Sequence, residues 1–452
     1  MSKPSKTDHK NDELFRNRLS EDLNPTHPLI ILSQLINWDR LENSFSHIYV
    51  SKKGQPPKPV RLMVGLMMLQ HMDGISDEAV VKKWVENPYW QYFCGYDFLQ
   101  WQFPIHPSSM TRWRKRLGTE GLEKILNETL HVGVRSGHSQ VSDFEEVIVD
   151  TTVMEKAITH PTDSKLLNKA RKELVKLAQA HQVPLRQSYK RVGEEACHQA
   201  GRYAHARQFK RMNRENKRLK TYLGRVVRDI ERKTQHADEA VKEAFAALLE
   251  KSRRLLLQKK DSKNKLYSLH APETECIGKG KAHKTYEFGC KVSLVVTHKK
   301  GLAVSSQALH GNPFDGHTLA GALESAQATS GITIKRAFVD RGYKGHGVDS
   351  SAVYVSGTRR LPPKLKKALR RRSAIEPHIG HMKNDGKLGR NYLKGQLGDC
   401  LNALLCAIGH NLRLALAFIM LIFTWLLEAL FSLSLYKRIA SFQSDPLTAH
   451  CS

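Results

Sequence analysis

The chain has 452 residues, with 72 Lys+Arg against 44 Asp+Glu, giving a net charge of +28. That length accommodates roughly two to four domains with their own cores, and the charge implies an acidic partner, either nucleic acid or an anionic membrane surface. A hydrophobic fraction of 40% with 8% aromatics excludes a disordered basic tail. The seven cysteines are scattered, odd in number and without a CxxC pair, which argues against a disulfide framework or a zinc site and for a reducing, cytoplasmic compartment. The N-terminus has no apolar h-region, so no signal peptide is expected.

Residues 1–25 read as a flexible polar lead, and 26–140 as an all-helical N-terminal DNA-binding domain. HPLIILSQLINWDRLENSF has helical spacing, KKGQPPKPV (52–60) is a loop, Pro59 opens a second helix, and DEAVVKKWVEN runs from a Ser76 or Asp77 cap to Pro88. The aromatic-rich segment after Pro88 reads as core or interface. HPSSMTRWRKRLG (106–118) predicts a short helix capped by Ser108 or Ser109 and carrying Arg112, Arg114, Lys115 and Arg116. This is the layout of a helix-turn-helix reader, with arginines on phosphates; a plain basic surface helix is the alternative.

At Glu145 the text becomes β-branched: VIVDTTV predicts a strand with Asp150 in its middle, where a buried carboxylate needs a metal, a cation or the open end of a sheet. THPTDS follows as a turn, in which Asp163 reads as a turn former rather than a supporting group. Residues 166–262 read as a basic helical hairpin inserted into the next domain, with 18 Lys+Arg against 7 Asp+Glu over 201–260. Residues 285–298 and 302–311 predict a β-hairpin, a helix begins near Asp315, and TIKRAFVDRGYKG predicts a strand ending at Asp340. The stretch from Arg370 to Lys394 sets Glu376 at the head of a helix, with Lys383 two turns along the same face. The halves 141–165 and 263–436 therefore form one split α/β domain, and 437–452 is a tail. The apolar run Leu414–Leu427, continued past Glu428, approaches the length of a bilayer span but reads as a core-closing helix or an oligomer contact.

Asp150, Asp340 and Glu376 are hard oxygen donors of the kind that phosphodiester chemistry with two Mg²⁺ ions needs. His317 is open between an acid–base role and a helix start, and Tyr343 between packing and DNA stacking. His378 and His381 flank Glu376 but lack the zincin pattern, so no zinc is expected there.

The phrases HPLIILSQLINWDRLE, VDTTVMEKAITHPTDSKLL, GNPFDGHTL, VDRGYKG and RRSAIEPHIGHMKNDGKLGRNYLKG resemble the DDE transposases of bacterial insertion sequences, in the IS-four/IS-five grouping, from about residue 27 to about residue 410. Arg372, Glu376 and Lys383 fit that family's spacing around its glutamate, whereas Leu369 stands where the family has a tyrosine. The resemblance implies an RNase H-like core, with Asp150 on the first strand, Asp340 on the fourth and Glu376 on a later helix, binding Mg²⁺ with Mn²⁺ as a substitute. It also implies that Arg372 and Lys383 handle DNA ends; Arg371 and Lys387, in the same basic stretch, are read as DNA contacts with them. The expected partners are double-stranded DNA (terminal inverted repeats and target) and further copies of the chain. The expected location is the bacterial cytoplasm at the nucleoid, with membrane association not expected. A chain that binds DNA without cleaving it is the competing expectation, favoured by Leu369 and the apolar run.

Overall fold

The computed structural model describes residues 16–49, 57–259, 261–278, 284–358 and 360–443. Most of the expected polar lead, much of the 52–60 loop and residues 444–452 of the tail lie outside the described residues.

Helices α1 (Leu19–Asp22), α2 (Pro28–Leu35), α3 (Trp38–Phe45), α4 (Val60–Met72), α5 (Asp77–Glu86), α6 (Pro88–Phe93) and α7 (Ser108–Arg135) form the N-terminal part. Their starts follow local chemistry. Asn37 accepts from the Arg40 amide to cap α3, and Ser76 accepts from Ala79 to cap α5. Asn87 ends α5 and caps α6, where Pro88 occupies a position needing no amide hydrogen. α4 is buried on almost every face, so the other helices pack around it. α7 breaks at Gly118, whose φ of 62° lies in the left-handed region, so a short basic segment precedes a longer one.

The sheet contains β1 (Glu146–Glu155), β2 (Glu275–Gly278), β3 (Tyr286–Thr297), β4 (Ala303–Leu309), β5 (Arg336–Val339) and β6 (Ala352–Val355). β3 lies antiparallel to β1 along one edge and to β4 and β2 along the other; β5 and then β6 extend the far side of β1 in parallel. The expected hairpin is β3–β4. The strands β2 and β6 carry no alternation legible in the sequence, being four residues each. β2 also makes the strand before Asp340 the fifth in chain order rather than the fourth.

Side-chain alternation divides the sheet's two faces. Ile148, Met154, Val292, Leu294 and Val296 share one continuous core with α2–α7 and helix α15 (Gly395–Gln443). Val147, Val149, Val295, Val304 and Val339 pack under α12 (Asp315–Ser330). The N-terminal helices and the sheet are thus fused through a common core.

The insertion holds four helices rather than the expected hairpin: α8 (Asp163–Ala180), α9 (Lys190–His205), α10 (Phe209–Thr234) and α11 (Glu239–Leu257). They enclose their own core of Leu167, Leu174, Leu223, Val227, Ile230 and Phe245. The basic residues that dominate the text occupy the outer faces, which hid the apolar stripes.

Gly395–Trp425 is long and apolar enough to cross a membrane, yet 56% of its most apolar window is buried inside the protein, as in a core helix. Leu401–Leu412 is its most enclosed part, whereas Met420, Leu421 and Trp425, in the apolar run, are exposed. α15 is fastened by buried polar groups. Arg413 donates to the His71 carbonyl at 2.6 Å, and His410 Nε2 lies 3.1 Å from the Gly301 carbonyl. Burial lowers the pKa of both His71 and His410 to about 3, from 6.5. Because the folded values lie below the unfolded ones, their stabilisation is complete above about pH 6.5 and is lost as pH falls toward 3. Thermal unfolding across that window should show a falling midpoint, and His71→Gln with His410→Gln should flatten the fall.

Candidate active site on the central sheet

Asp150 lies on β1 just beyond the stretch paired with β5. Ile148 pairs with Phe338 in parallel register; Asp150, two residues further along β1, and Asp340, the residue just past the end of β5, therefore follow the same register on strands whose axes are about 5 Å apart. Asp340 directly follows β5 and caps the 3₁₀ turn Arg341–Tyr343, its Oδ1 accepting from the Gly342 amide at 2.8 Å. The Asp150 Oδ1 accepts from the Thr151 amide at 2.8 Å. Backbone donors therefore orient both carboxylates.

Glu376 is the second residue of α14 (Ile375–Asn384), and its side chain is 67% exposed. Arg372, in the 3₁₀ turn Arg371–Ala374, joins it to β1. Its Nη1 is 3.3 Å from Asp150 Oδ2 and its Nη2 is 3.8 Å from Glu376 Oε1. The family spacing assigns Arg372 to DNA phosphates. Here its guanidinium, only 17% exposed, faces two carboxylates, the strongest acceptors within its reach.

A fourth carboxylate adjoins the site. Asp315 opens α12, and its Oδ1 accepts from Thr151 Oγ1 and Lys291 Nζ, both at 3.1 Å. A Cβ on Gly342 would stand 3.0 Å from Asp340 Oδ1 and 3.3 Å from Asp315 Oδ2, so glycine lets the loop pass between the two acids. In the sequence Asp315 reads only as a helix start; its signal was the acid in GNPFDGHTL. Tyr343 is fully buried beneath these groups, which makes it a packing residue. Burial raises its phenol pKa, with further contributions from Asp150, Asp315 and Asp340.

The other expected residues separate into several environments. Arg371 donates to the carbonyls of His298 (2.9 Å) and Lys299 (2.6 Å), anchoring the turn that carries Arg372. Lys383 is half-buried. Lys387 lines a cleft with Asp77, Arg114 and Tyr392, and burial lowers its pKa. Leu369 is a core residue, 8% exposed, so an apolar side chain suits that position. His378 packs against Gly301 and His410, while His381 pairs with Asp385 at 2.7 Å; the two do not converge. Asp163 is the exposed first residue of α8, and His317 is exposed beside Phe314.

Arg114 does not fulfil its expected role at phosphates. Its side chain is 5% exposed, with Nη1 donating to Asp77 at 2.9 Å and to Gln70 at 3.3 Å. It is a buried ion pair within the helical domain. Arg112 and Lys115 are exposed on the same segment. Neither Ser108 nor Ser109 caps it: Pro107 holds the cap position, and the Ser108 hydroxyl bonds His106 Nδ1 at 2.8 Å.

Residues 17–116 match a family described as a transposase domain (DUF772). Over 207 residues, 46% of this chain and 100% of the relative, the chain is 47% identical to "Uncharacterized protein ORF8 in nfe locus" from Rhizobium meliloti. The chain belongs to one family with that Rhizobium protein, and its N-terminal part carries the match to the transposase domain. No solved structure gives a significant match. The transposase domain covers α1–α6 and ends at Arg116, within the basic segment of α7.

The two kinds of basic residue in this domain should respond differently to substitution. Arg112→Ala with Lys115→Ala should leave unfolding unchanged, weaken DNA binding, and reduce the slope of log affinity against log salt by about one for each phosphate no longer neutralised. Arg114→Ala should cost about 3–5 kcal/mol by stranding Asp77. Chemical denaturation and salt titrations of DNA binding read the two effects separately.

Proposed function

We propose that this chain is a DDE-type DNA transposase of the IS-four/IS-five grouping, with Asp150, Asp340 and Glu376 as its catalytic carboxylates. The observation that carries the reading is the register that sets Asp150 on β1 beside the end of β5, which Asp340 directly follows, with Glu376 linked to Asp150 across Arg372. The sheet order, with β4, β3 and β1 antiparallel, β5 and β6 parallel on the far side of β1, and the short β2 added to β3, supports an RNase H-like reading of the core, and the +28 charge supports a polyanionic substrate.

The donor set suits Mg²⁺, with Mn²⁺ as a substitute. All three groups are hard oxygen donors, and the Arg372 guanidinium between Asp150 and Glu376 indicates a pocket that balances its charge with a cation. When bound, the metal supplies Lewis-acid polarisation of the scissile phosphodiester and the attacking oxygen. The protein's part is positional. The Thr151 and Gly342 amides fix Asp150 and Asp340. Arg372 is placed to exchange its carboxylate partners for a DNA phosphate, and Arg371 holds its turn against the 298–299 carbonyls. Arg112 and Lys115 contribute backbone contacts to double-stranded DNA, where the terminal inverted repeats are the specific ligand. Water opens a phosphodiester to give a 3′-OH, and that hydroxyl then displaces a target phosphodiester by transesterification. The protein acts as a homo-oligomer on the bacterial nucleoid, in the cytoplasm.

Cleavage of DNA carrying the element's ends, with Mg²⁺, tests this. Glu376→Gln, Asp150→Asn and Asp340→Asn should each lower the rate by at least ~100-fold, since even the supporting partners of metal ligands are worth 10–100-fold, while DNA binding persists. Undiminished cleavage by Glu376→Gln would remove the assignment.

A further inference from the structure

Away from these carboxylates, four elements bring a second cluster together: Glu275 on β2, Cys290 on β3, His310 directly after β4 and Asp399 on α15. Among the described residues, Cys290, His310 and Asp399 are the one group of three whose ligand-type atoms all lie within 4.8 Å of one another. Cys290 Sγ is 3.7 Å from His310 Nδ1, Glu275 Oε1 is 3.9 Å from the same nitrogen, and Asp399 Oδ2 is 4.0 Å from His310 Nε2. These contacts run to both ring nitrogens of His310, of which one ion takes one; the edges of a tetrahedral zinc site with ordinary sulfur, nitrogen and oxygen ligands are about 3.3–3.8 Å, so Cys290, His310 and Asp399, within 4.8 Å of one another, close by up to about 1 Å onto one ion.

The surrounding bonds orient the cluster. Asp399 Oδ1 is held by Lys156 Nζ and Asn391 Nδ2, both at 2.7 Å, which leaves Oδ2 toward the histidine. Glu275 Oε1 accepts from the Gly311 amide at 2.6 Å. Its Oε2 and the His310 Nε2 are buried without a hydrogen-bond partner, a costly state for polar atoms. Charge points the same way. Lys156, paired with Glu273 and Asp399 at 2.7 Å each, is the ammonium set against Glu273, Glu275 and Asp399, and a divalent cation offsets the excess negative charge. A sulfur and an imidazole beside the carboxylates select zinc over magnesium. The Cys290 sulfur lies within hydrogen-bond distance of the Lys291 and Leu309 carbonyls, at 3.3 and 3.4 Å; a thiol is a weak donor, so these bonds yield to a thiolate–metal bond.

We propose that Cys290, His310 and Asp399 form a zinc site that ties β3 and the end of β4 to α15, with Glu275 beside His310 adding negative charge. Cys290 loses its proton to solvent on binding, His310 is neutral and binds through one ring nitrogen, and Asp399 gives one carboxylate oxygen. The site is independent of the transposase reading: it asks nothing of Asp150, Asp340 or Glu376.

The test uses full-length protein freed of any affinity tag. Elemental analysis after gel filtration should find zinc in stoichiometric amount, and Co²⁺-substituted protein should show thiolate-to-cobalt charge-transfer absorption. Cys290→Ser should abolish that absorption, and His310→Gln should lower bound zinc at least tenfold. A zinc-selective chelator should lower the unfolding temperature of the parent but not of His310→Gln. If a variant fails to fold, metal content and the cobalt spectrum of the parent still decide the matter. A parent without stoichiometric zinc and without the charge-transfer band overturns the proposal; so does zinc retained equally by both variants, and the cluster is then an ion-pair network around His310.

Discussion

A carboxylate in the middle of a strand has to be solvated, neutralised or bound to a cation, and the structure around Asp150 answers that constraint. β5 stops short of it, leaving one edge of β1 open to the Asp340 loop. The Arg372 guanidinium reaches it from the turn before α14, and that turn is in turn tied to the β3–β4 connection by Arg371. Glu376 comes with Arg372, one helical turn away, at an N-terminus whose dipole favours negative charge. Ile375 and Met382 anchor α14 in the core, while the Arg372 contacts to Asp150 and Glu376 are charge-assisted bonds of the kind a phosphate can exchange.

The long-range frame is carried by α15. Its buried half packs against the N-terminal helices on one side and β4 on the other, so the transposase domain and the sheet share one core. Its internal polar groups, Asp399, His410, Asn411 and Arg413, each reach a different element. This gives the sheet a fixed relation to the basic segment of α7. The inserted helices, with a separate core, leave that relation intact.

Much of this was legible in the residues. The β-branched run around Asp150, the hairpin of β3 and β4 and the strand leading to Asp340 are read from their residues, and the cap at Ser76 follows side-chain chemistry; the break at Asn37 between α2 and α3 does not show in the helical spacing of that stretch. What stayed hidden has physical reasons. β2 and β6 are too short to show a period. The four-helix insertion masks its apolar stripes with lysine and arginine. Arg114 sits in a basic run, and no local pattern distinguishes a guanidinium that turns inward to Asp77 from its exposed neighbours. Asp315 and the Cys290–His310–Asp399 group depend on contacts across long separations in sequence, which spacing rules for metal ligands do not register.

The central claim, that Asp150, Asp340 and Glu376 hold the catalytic metal, is tested most directly by anomalous diffraction from crystals of the protein with end DNA and Mn²⁺. The account predicts a manganese peak within coordination distance of both Asp150 and Asp340, with Arg372 moved from Asp150 to a DNA phosphate. Manganese bound elsewhere in a cleavage-competent crystal, with Arg372 still between Asp150 and Glu376, would contradict it.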